Sequence, residues 1–313
     1  MKMTDYQQPD DFLLNKRQVR NSFDLAAASY DEVAVLQREI GQRMAQRLDL
    51  IRINPQQILD AGAGTGSFSR LLSQRYPHAR VIALDVSHAM LTVAKKSSSP
   101  PPAWRWWSSL RKKHTRQVFA CGDIEQLPLT DNSVDLIFSN LTLQWCNDLE
   151  RVFKGFRRIL RPDGLLMFST FGPDTLKELR YCWNKIDQFT HINTFIDMHD
   201  IGDALLRQRF TEPVMDVERI ILTYRDISTL MSDLKMLGAH NVNAGRRQTL
   251  TGKGRIRSLT EAYECYRENG VLPASYEVVY GHAWAGMHQT HKNDSTADAI
   301  VPISQIQHRS LKG

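Results

Sequence analysis

The segment ILDAGAGTGSFSR (residues 58–70) decides how this chain is read. An apolar pair, Ile58 and Leu59, runs into an acid, Asp60, and then into glycines at alternate positions, Gly62, Gly64 and Gly66. Ser67 then opens a stretch with helical spacing. Glycines at a strand-to-helix turn permit φ > 0 and let a ligand approach main-chain N–H groups closely. A dinucleotide fingerprint would need a glycine at position 67, where Ser67 stands, and no Gly-Lys-Ser/Thr run exists to make a P-loop.

Working outward, residues 54–171 alternate short apolar runs with helical stretches, the pattern of a parallel sheet with crossover helices. QILDA (57–61), RVIALD (80–85), QVFACGD (117–123), VDLIFSN (134–140) and GLLMFSTF (164–171) read as strands. SFSRLLSQRY, SHAMLTVAKK and LERVFKGFRRIL carry apolar residues at i, i+3 and i+4 and read as helices. Pro162, Asp163 and Gly164 are expected to stop the last helix and turn the chain into a strand. Upstream, residues 29–51 read as one long amphipathic helix, with Ser29 and Glu32 at capping-box spacing. Downstream, ERIILTYRD (218–226) and ASYEVVYGHAWAG (274–286) read as later strands, with helices near STLMSDLKMLGA and LTEAYECYREN.

Polar residues fall at successive strand ends. Asp60 at a strand tip would repel a pyrophosphate and suits a ligand bearing an ammonium and a sulfonium charge, as S-adenosylmethionine does. Asp85 stands where a carboxylate can accept from both ribose hydroxyls. Asp123 could accept from an adenine amino group while the Ile124 N–H faces the ring, and Asn140 closes the fourth strand at the same edge. Taken singly, each acid is as readily a turn or cap residue. Jointly, they resemble the cofactor crevice of class I methyltransferases, which implies a Rossmann-like α/β fold. Its seven-stranded sheet would be mostly parallel with an antiparallel edge strand, have helices on both faces, and carry an N-terminal helical lid and C-terminal cap elements.

The chain has 313 residues, 42% hydrophobic and 24% charged, enough for one full core with added elements. Its formal net charge of +6 favours anionic partners without choosing among them. No window approaches the ~20 apolar residues of a membrane span and no signal segment is seen, so a cytoplasmic protein is expected. Cys121, Cys146, Cys182 and Cys265 are scattered without CxxC spacing, and the histidines are dispersed, so neither a disulfide framework nor a metal site is expected. The expected organisation is a lid over residues 1–53 and a catalytic domain over 54–287. That domain would carry an insertion at 97–115 and acceptor-binding elements at about 172–257, and a polar, disordered tail would follow at 288–313. The insertion, with Trp104, Trp106 and Trp107 among basic residues, is read as a surface loop rather than a base-stacking or membrane element.

Four stretches narrow the class: NSFDLAAASYDEVAVLQREIG (21–41), GDIEQLPLTDNSVDLIFSNLTLQW (122–145), FSTFGPDTLKELR (168–180) and LKMLGAHNVNAGRR (234–247). Together they resemble the malonyl-acyl-carrier-protein O-methyltransferases of biotin synthesis, from about Asn15 to Ala285. The Trp-rich insertion departs from that family. The resemblance implies methyl transfer from S-adenosylmethionine to the free carboxylate of a malonyl thioester on an acyl-carrier protein, with S-adenosylhomocysteine as product. A carboxylate of pKa near ~4 is already ionised, so no general base is needed, and no Ser-His-Asp or paired-carboxylate constellation is found. A guanidinium fork suits the acceptor carboxylate, which makes Arg246 and Arg247, in the basic stretch GRRQTLTGKGR (245–255), the candidates for substrate contact. Lys253, Arg255 and Arg257 are candidates for an electrostatic rim facing the carrier. Tyr30 is the candidate lid residue whose hydroxyl reaches the acceptor. The alternatives are another small-molecule methyltransferase, of the quinone C-methyl or aconitate-type carboxyl kind, or a protein-arginine-hydroxylase-like assembly factor of the same fold. A nucleic-acid enzyme is disfavoured because SNLTLQW stands where an Asn/Asp-Pro-Pro-Tyr/Phe motif would be.

Overall fold

A computed structural model describes residues 13–98, 117–237 and 252–286. Seven strands form one sheet: β1 (Gln57–Ala61), β2 (Arg80–Asp85), β3 (Gln117–Cys121), β4 (Val134–Asn140), β5 (Leu160–Phe171), β6 (Phe210–Tyr224) and β7 (Leu272–Ala285). Their order is β3-β2-β1-β4-β5-β7-β6. The first five pair in parallel, with Asp60 beside Ala83 on one side and Phe138 on the other. β7 runs antiparallel to both β5 and β6, so the antiparallel strand sits one place in from the edge.

The helices are α1 (Lys16–Ala26), α2 (Tyr30–Val33), α3 (Val35–Arg47), α4 (Ser67–Arg75), α5 (His88–Ser98), α6 (Leu149–Ile159), α7 (Lys177–Asn184), α8 (Met198–Arg207), α9 (Ile227–Met236) and α10 (Lys253–Tyr263). They cover both faces because the parallel strands are apolar on both, as β1 and β2 show. On one face α3, α7, α9 and α10 bury Ile40, Met44, Leu179, Leu230, Leu259 and Tyr263 against the sheet. On the other, α6 and α8 bury Val152, Phe153, Phe156, Ile201 and Leu205.

The structure corrects several expectations. The long helix over 29–51 is two helices, broken at Ala34 (φ −77°, ψ 41°), and the Ser29 side chain makes no cap. The two parts serve different surfaces. Asp31 accepts the Thr65 hydroxyl at 2.6 Å and Tyr30 packs with Met90 over the glycine turn, whereas Leu36, Ile40 and Met44 of α3 bury under the sheet. α6 already ends at Ile159, and Pro162, Asp163 (φ 58°) and Gly164 lie within β5 rather than between the helix and the strand. Strand β6 begins eight residues before the expected start, at Phe210, because its long pairing with β7 continues to Ala285. Lys253, Arg255 and Arg257 lie in α10 rather than in a loop. Arg246, Arg247, the tail at 288–313 and nearly all of the insertion at 97–115 lie outside the described residues.

Candidate active site

The turn after β1 is shaped by its glycines. Gly62, Gly64 and Gly66 have φ of +82°, +54° and +77°, a region that side chains with Cβ avoid. The Gly62 and Ala63 amides both donate to the Leu84 carbonyl, at 2.8 and 2.9 Å, which folds the turn back against β2. A Cβ on Gly62 would lie 2.1 Å from the Thr142 hydroxyl oxygen, and one on Gly66 would lie 2.8 Å from Ala94 Cβ. A Cβ on Gly64 would meet nothing within 4 Å, because Gly64 faces the open cleft. Gly66 does not line the cleft; its position permits α4 to approach α5.

Each strand end delivers its predicted residue to this crevice, as open parallel sheets do at a switch point. Tyr30, Gly62, Gly64, Asp85, Asp123, Ile124 and Asn140 line one cleft. Asp60 lines its continuation below the glycine turn, together with Tyr30, Gly62, Gly64 and Asn140. Asp85 accepts the Gly64 amide and the Ser87 amide, both at 2.8 Å, and so ties the turn to the next loop. Asp60 accepts the Ser69 hydroxyl at 2.5 Å. Burial pushes both carboxyls up, Asp60 to about 7, with their mutual repulsion adding to the effect on Asp60. Asp123 caps the short 3₁₀ turn Ile124–Gln126 through the Glu125 amide at 3.0 Å. Asn140 donates to the Gln37 carbonyl at 3.0 Å and accepts the Ser169 hydroxyl at 2.8 Å, which holds α3 against the strand ends. Burial first, then Asp85 and Asp31, push the Tyr30 hydroxyl far above its ordinary value. It remains a protonated donor at neutral pH.

Several lining residues escaped the sequence reading. Lys16 of α1 pairs with Asp123 at 3.4 Å and with Glu125 at 2.6 Å. Phe23 meets Trp145 edge-on, with centroids 5.2 Å apart, and both line the cleft. Gln37 stands with its side-chain carbonyl oxygen buried and without a hydrogen-bond partner among the described residues. The only local hint was the helical periodicity of the N-terminal segment, which marks an apolar face but not what it covers.

A second cavity of about 990 Å³ adjoins the cleft, the two sharing Gln37, Gln144, Trp145, Phe171 and Leu237. Its walls are mostly apolar and aromatic, including Trp183, Phe195, Tyr224 and Tyr276, and Ile256 of α10 belongs to them. On that helix Arg255 lies 3.8 Å from Asp187 and Arg257 is exposed; the Lys253 side chain is outside the described residues. Among the described residues no group of three or more His, Cys, Asp or Glu side chains is placed to hold a metal ion, and no helix is long and apolar enough to cross a membrane. All four cysteines are free thiols.

This donor set suits S-adenosylmethionine. Gly64 leaves room where a side chain would stand, two buried carboxyls gather at the strand tips, and the Gln37 side-chain carbonyl lacks the donor that an ammonium would supply. The comparisons with known proteins agree. A methyltransferase-domain family model matches residues 59–168. Among solved structures, the YcgJ protein of Bacillus subtilis is 15% identical with a TM-score of 0.52, covering 78% of this chain and 98% of its own. The [4+2]-cyclase SpnF is 17% identical with a TM-score of 0.53, covering 88% and 97%. At these identities the likeness shows the fold alone, and a cyclase among the matches makes plain that the fold does not choose the reaction. Fold, cleft and domain together define an S-adenosylmethionine-dependent methyltransferase.

Curated relatives narrow the class. The malonyl-[acyl-carrier protein] O-methyltransferase of Gallionella capsiferriformans is 50% identical over 88% of this chain and 92% of its own, and that of Laribacter hongkongensis is 52% identical over 87% and 90%. One from Coxiella burnetii is 41% identical over 96% and 98%. The chain belongs to the malonyl-[acyl-carrier protein] O-methyltransferase family.

Proposed function

We propose that this chain methylates the free carboxylate of a malonyl group carried as a thioester on an acyl-carrier protein. The product is the methyl ester that starts pimeloyl and biotin synthesis, made in the cytoplasm. The observation that carries the reading is the pair of adjoining compartments. One is a polar crevice fitted to the cofactor; the other is an apolar cavity far larger than malonate needs.

In the crevice, Asp60 and the Gln37 side-chain carbonyl would hold the ammonium, Asp85 the ribose hydroxyls, and Asp123 with the Ile124 amide the adenine. When bound, S-adenosylmethionine supplies a methyl group on a positively charged sulfur, which keeps the electron pair of the broken S–C bond. No proton moves, because the acceptor carboxylate is already ionised. The protein's work is therefore alignment and exclusion of water. Tyr30, partly buried and kept neutral, donates its hydroxyl hydrogen to the acceptor carboxylate without competing for the methyl group. Phe23, Trp145 and Phe171 exclude water near the junction. Arg246 and Arg247 orient the acceptor, and Lys253, Arg255 and Arg257 steer the acidic carrier to the mouth beside Ile256.

The test is turnover with methyl-labelled cofactor. Malonyl-carrier protein is expected to be methylated at least about a hundredfold more efficiently than free malonate, with stoichiometric release of S-adenosylhomocysteine. Equal efficiency on the two acceptors would sink the carrier reading.

A further inference from the structure

The loop between α7 and α8 presents His191, Ile192, Asn193 and Phe195 to the larger cavity. His191 is held from two sides. Its ring stacks on Trp183 with centroids 3.7 Å apart and planes 8° from parallel, and its Nε2 lies 2.7 Å from Asp187 Oδ1. That carboxylate oxygen also accepts the Phe189 amide at 3.1 Å, and Arg255 flanks the other oxygen at 3.8 Å. With Nε2 donating to Asp187, the neutral ring keeps Nδ1 as an acceptor. Among the described residues, Nδ1 takes no hydrogen bond. Two positions on, Asn193 is only 7% exposed, and its side-chain carbonyl oxygen is buried without a hydrogen-bond partner.

A buried acceptor left unpaired is costly, and native proteins keep few of them. Asn193 is one such acceptor, and His191, whose Nδ1 takes no hydrogen bond among the described residues, stands in the same cavity wall; the pair calls for an occupant that brings N–H or O–H donors. Ionised malonate has none. An apolar stem carrying amide N–H groups and a hydroxyl has both the donors and the apolar surface that Trp183, Ile192 and Phe195 would cover.

We propose that His191 and Asn193 bind the amide-bearing linker of a pantetheine-type thioester and are specificity-determining residues of the acceptor cavity. The assignment rests on the carrier-linked reading above and adds to it. The protein recognises the arm itself, through donors that a simple malonyl thioester lacks.

The experiment compares malonyl-pantetheine with the S-ethyl thioester of malonate, in the unsubstituted protein and in Asn193→Leu and His191→Phe. The phenylalanine keeps a ring on Trp183. Each substitution is expected to raise the KM for malonyl-pantetheine about tenfold, corresponding to about 1.4 kcal/mol. KM for the S-ethyl thioester, kcat and cofactor affinity should stay unchanged. An independent reading needs no variant: pantetheine alone should inhibit the unsubstituted protein competitively against either thioester. Equal KM changes for both acceptors, no change for either, or no inhibition by pantetheine overturns the assignment while leaving methyl transfer to malonyl thioesters standing. Absence of turnover on both thioesters by the unsubstituted protein overturns the underlying reading, and this assignment with it.

Discussion

Asp60 carries the clearest pH signature of the site. In the folded chain its carboxyl titrates near 7, because burial disfavours the charged form, whereas an unfolded chain ionises it near the ordinary 3.8. The folded state thus holds this proton more tightly. Its contribution favours folding at low pH, is lost as pH rises from about 4 to about 7, and is constant above that. A bound ammonium reverses the preference by stabilising the carboxylate. Cofactor Kd is therefore expected to fall as pH rises from 5.5 to 7, by up to about tenfold per unit, in a range where the ligand's amino group remains charged. Asp60→Asn should bind weakly and lose that slope; isothermal titration across the range checks it, and an unchanged slope would remove Asp60 from the ammonium site. Asp60 was legible in the sequence because strand, acid, glycine turn and helix are contiguous. Gln37 was not, because nothing near it says that the strand ends of residues 60 and 140 meet its helix.

At the scale of elements, the N-terminal helices close the crevice through contacts distant in sequence. Lys16 bridges to Asp123 and Glu125, Leu14 exchanges hydrogen bonds with Asn147 at 2.7 and 3.0 Å, and Asp24 accepts the Ser87 hydroxyl at 2.6 Å. The Lys16 side chain is 29% exposed, so its pairs are only partly screened. Lys16→Met is expected to loosen α1 over the adenine end. Cofactor dissociation should speed up about three- to tenfold in stopped-flow displacement, the range of one charge-assisted hydrogen bond in a half-buried setting. An unchanged dissociation rate would mean that α1 lines the cleft without gating it. The break at Ala34 belongs to this scale. Helical periodicity runs on through residues 29–47, but one straight helix cannot hold Tyr30 over the glycine turn and also bury Leu36, Ile40 and Met44 under the sheet. Local propensity yields where two surfaces must be served.

Across the whole molecule, the net charge of +6 favours encounter with an acidic carrier. Raising salt from 50 to 300 mM should increase the KM for malonyl-carrier protein several-fold, while malonyl-pantetheine, which lacks the carrier's surface, should respond far less. Steady-state kinetics on the two acceptors checks this, and equal salt responses would dismiss the basic rim as a carrier surface. The sequence alone determined the sheet, the glycine turn, the acids at the strand ends and the family, because each is written in contiguous residues, as an apolar run, a helical period of about 3.6 or a local motif. Only the tertiary structure decided that α1 latches onto Asp123 and Glu125, that Gln37 stands where two compartments meet, and that His191 and Asn193, the latter with a buried unpaired carbonyl oxygen, stand in the wall of the larger one. These depend on segments far apart in the chain being packed together, and a one-dimensional pattern records which residues prefer to be buried but not which partners they meet there.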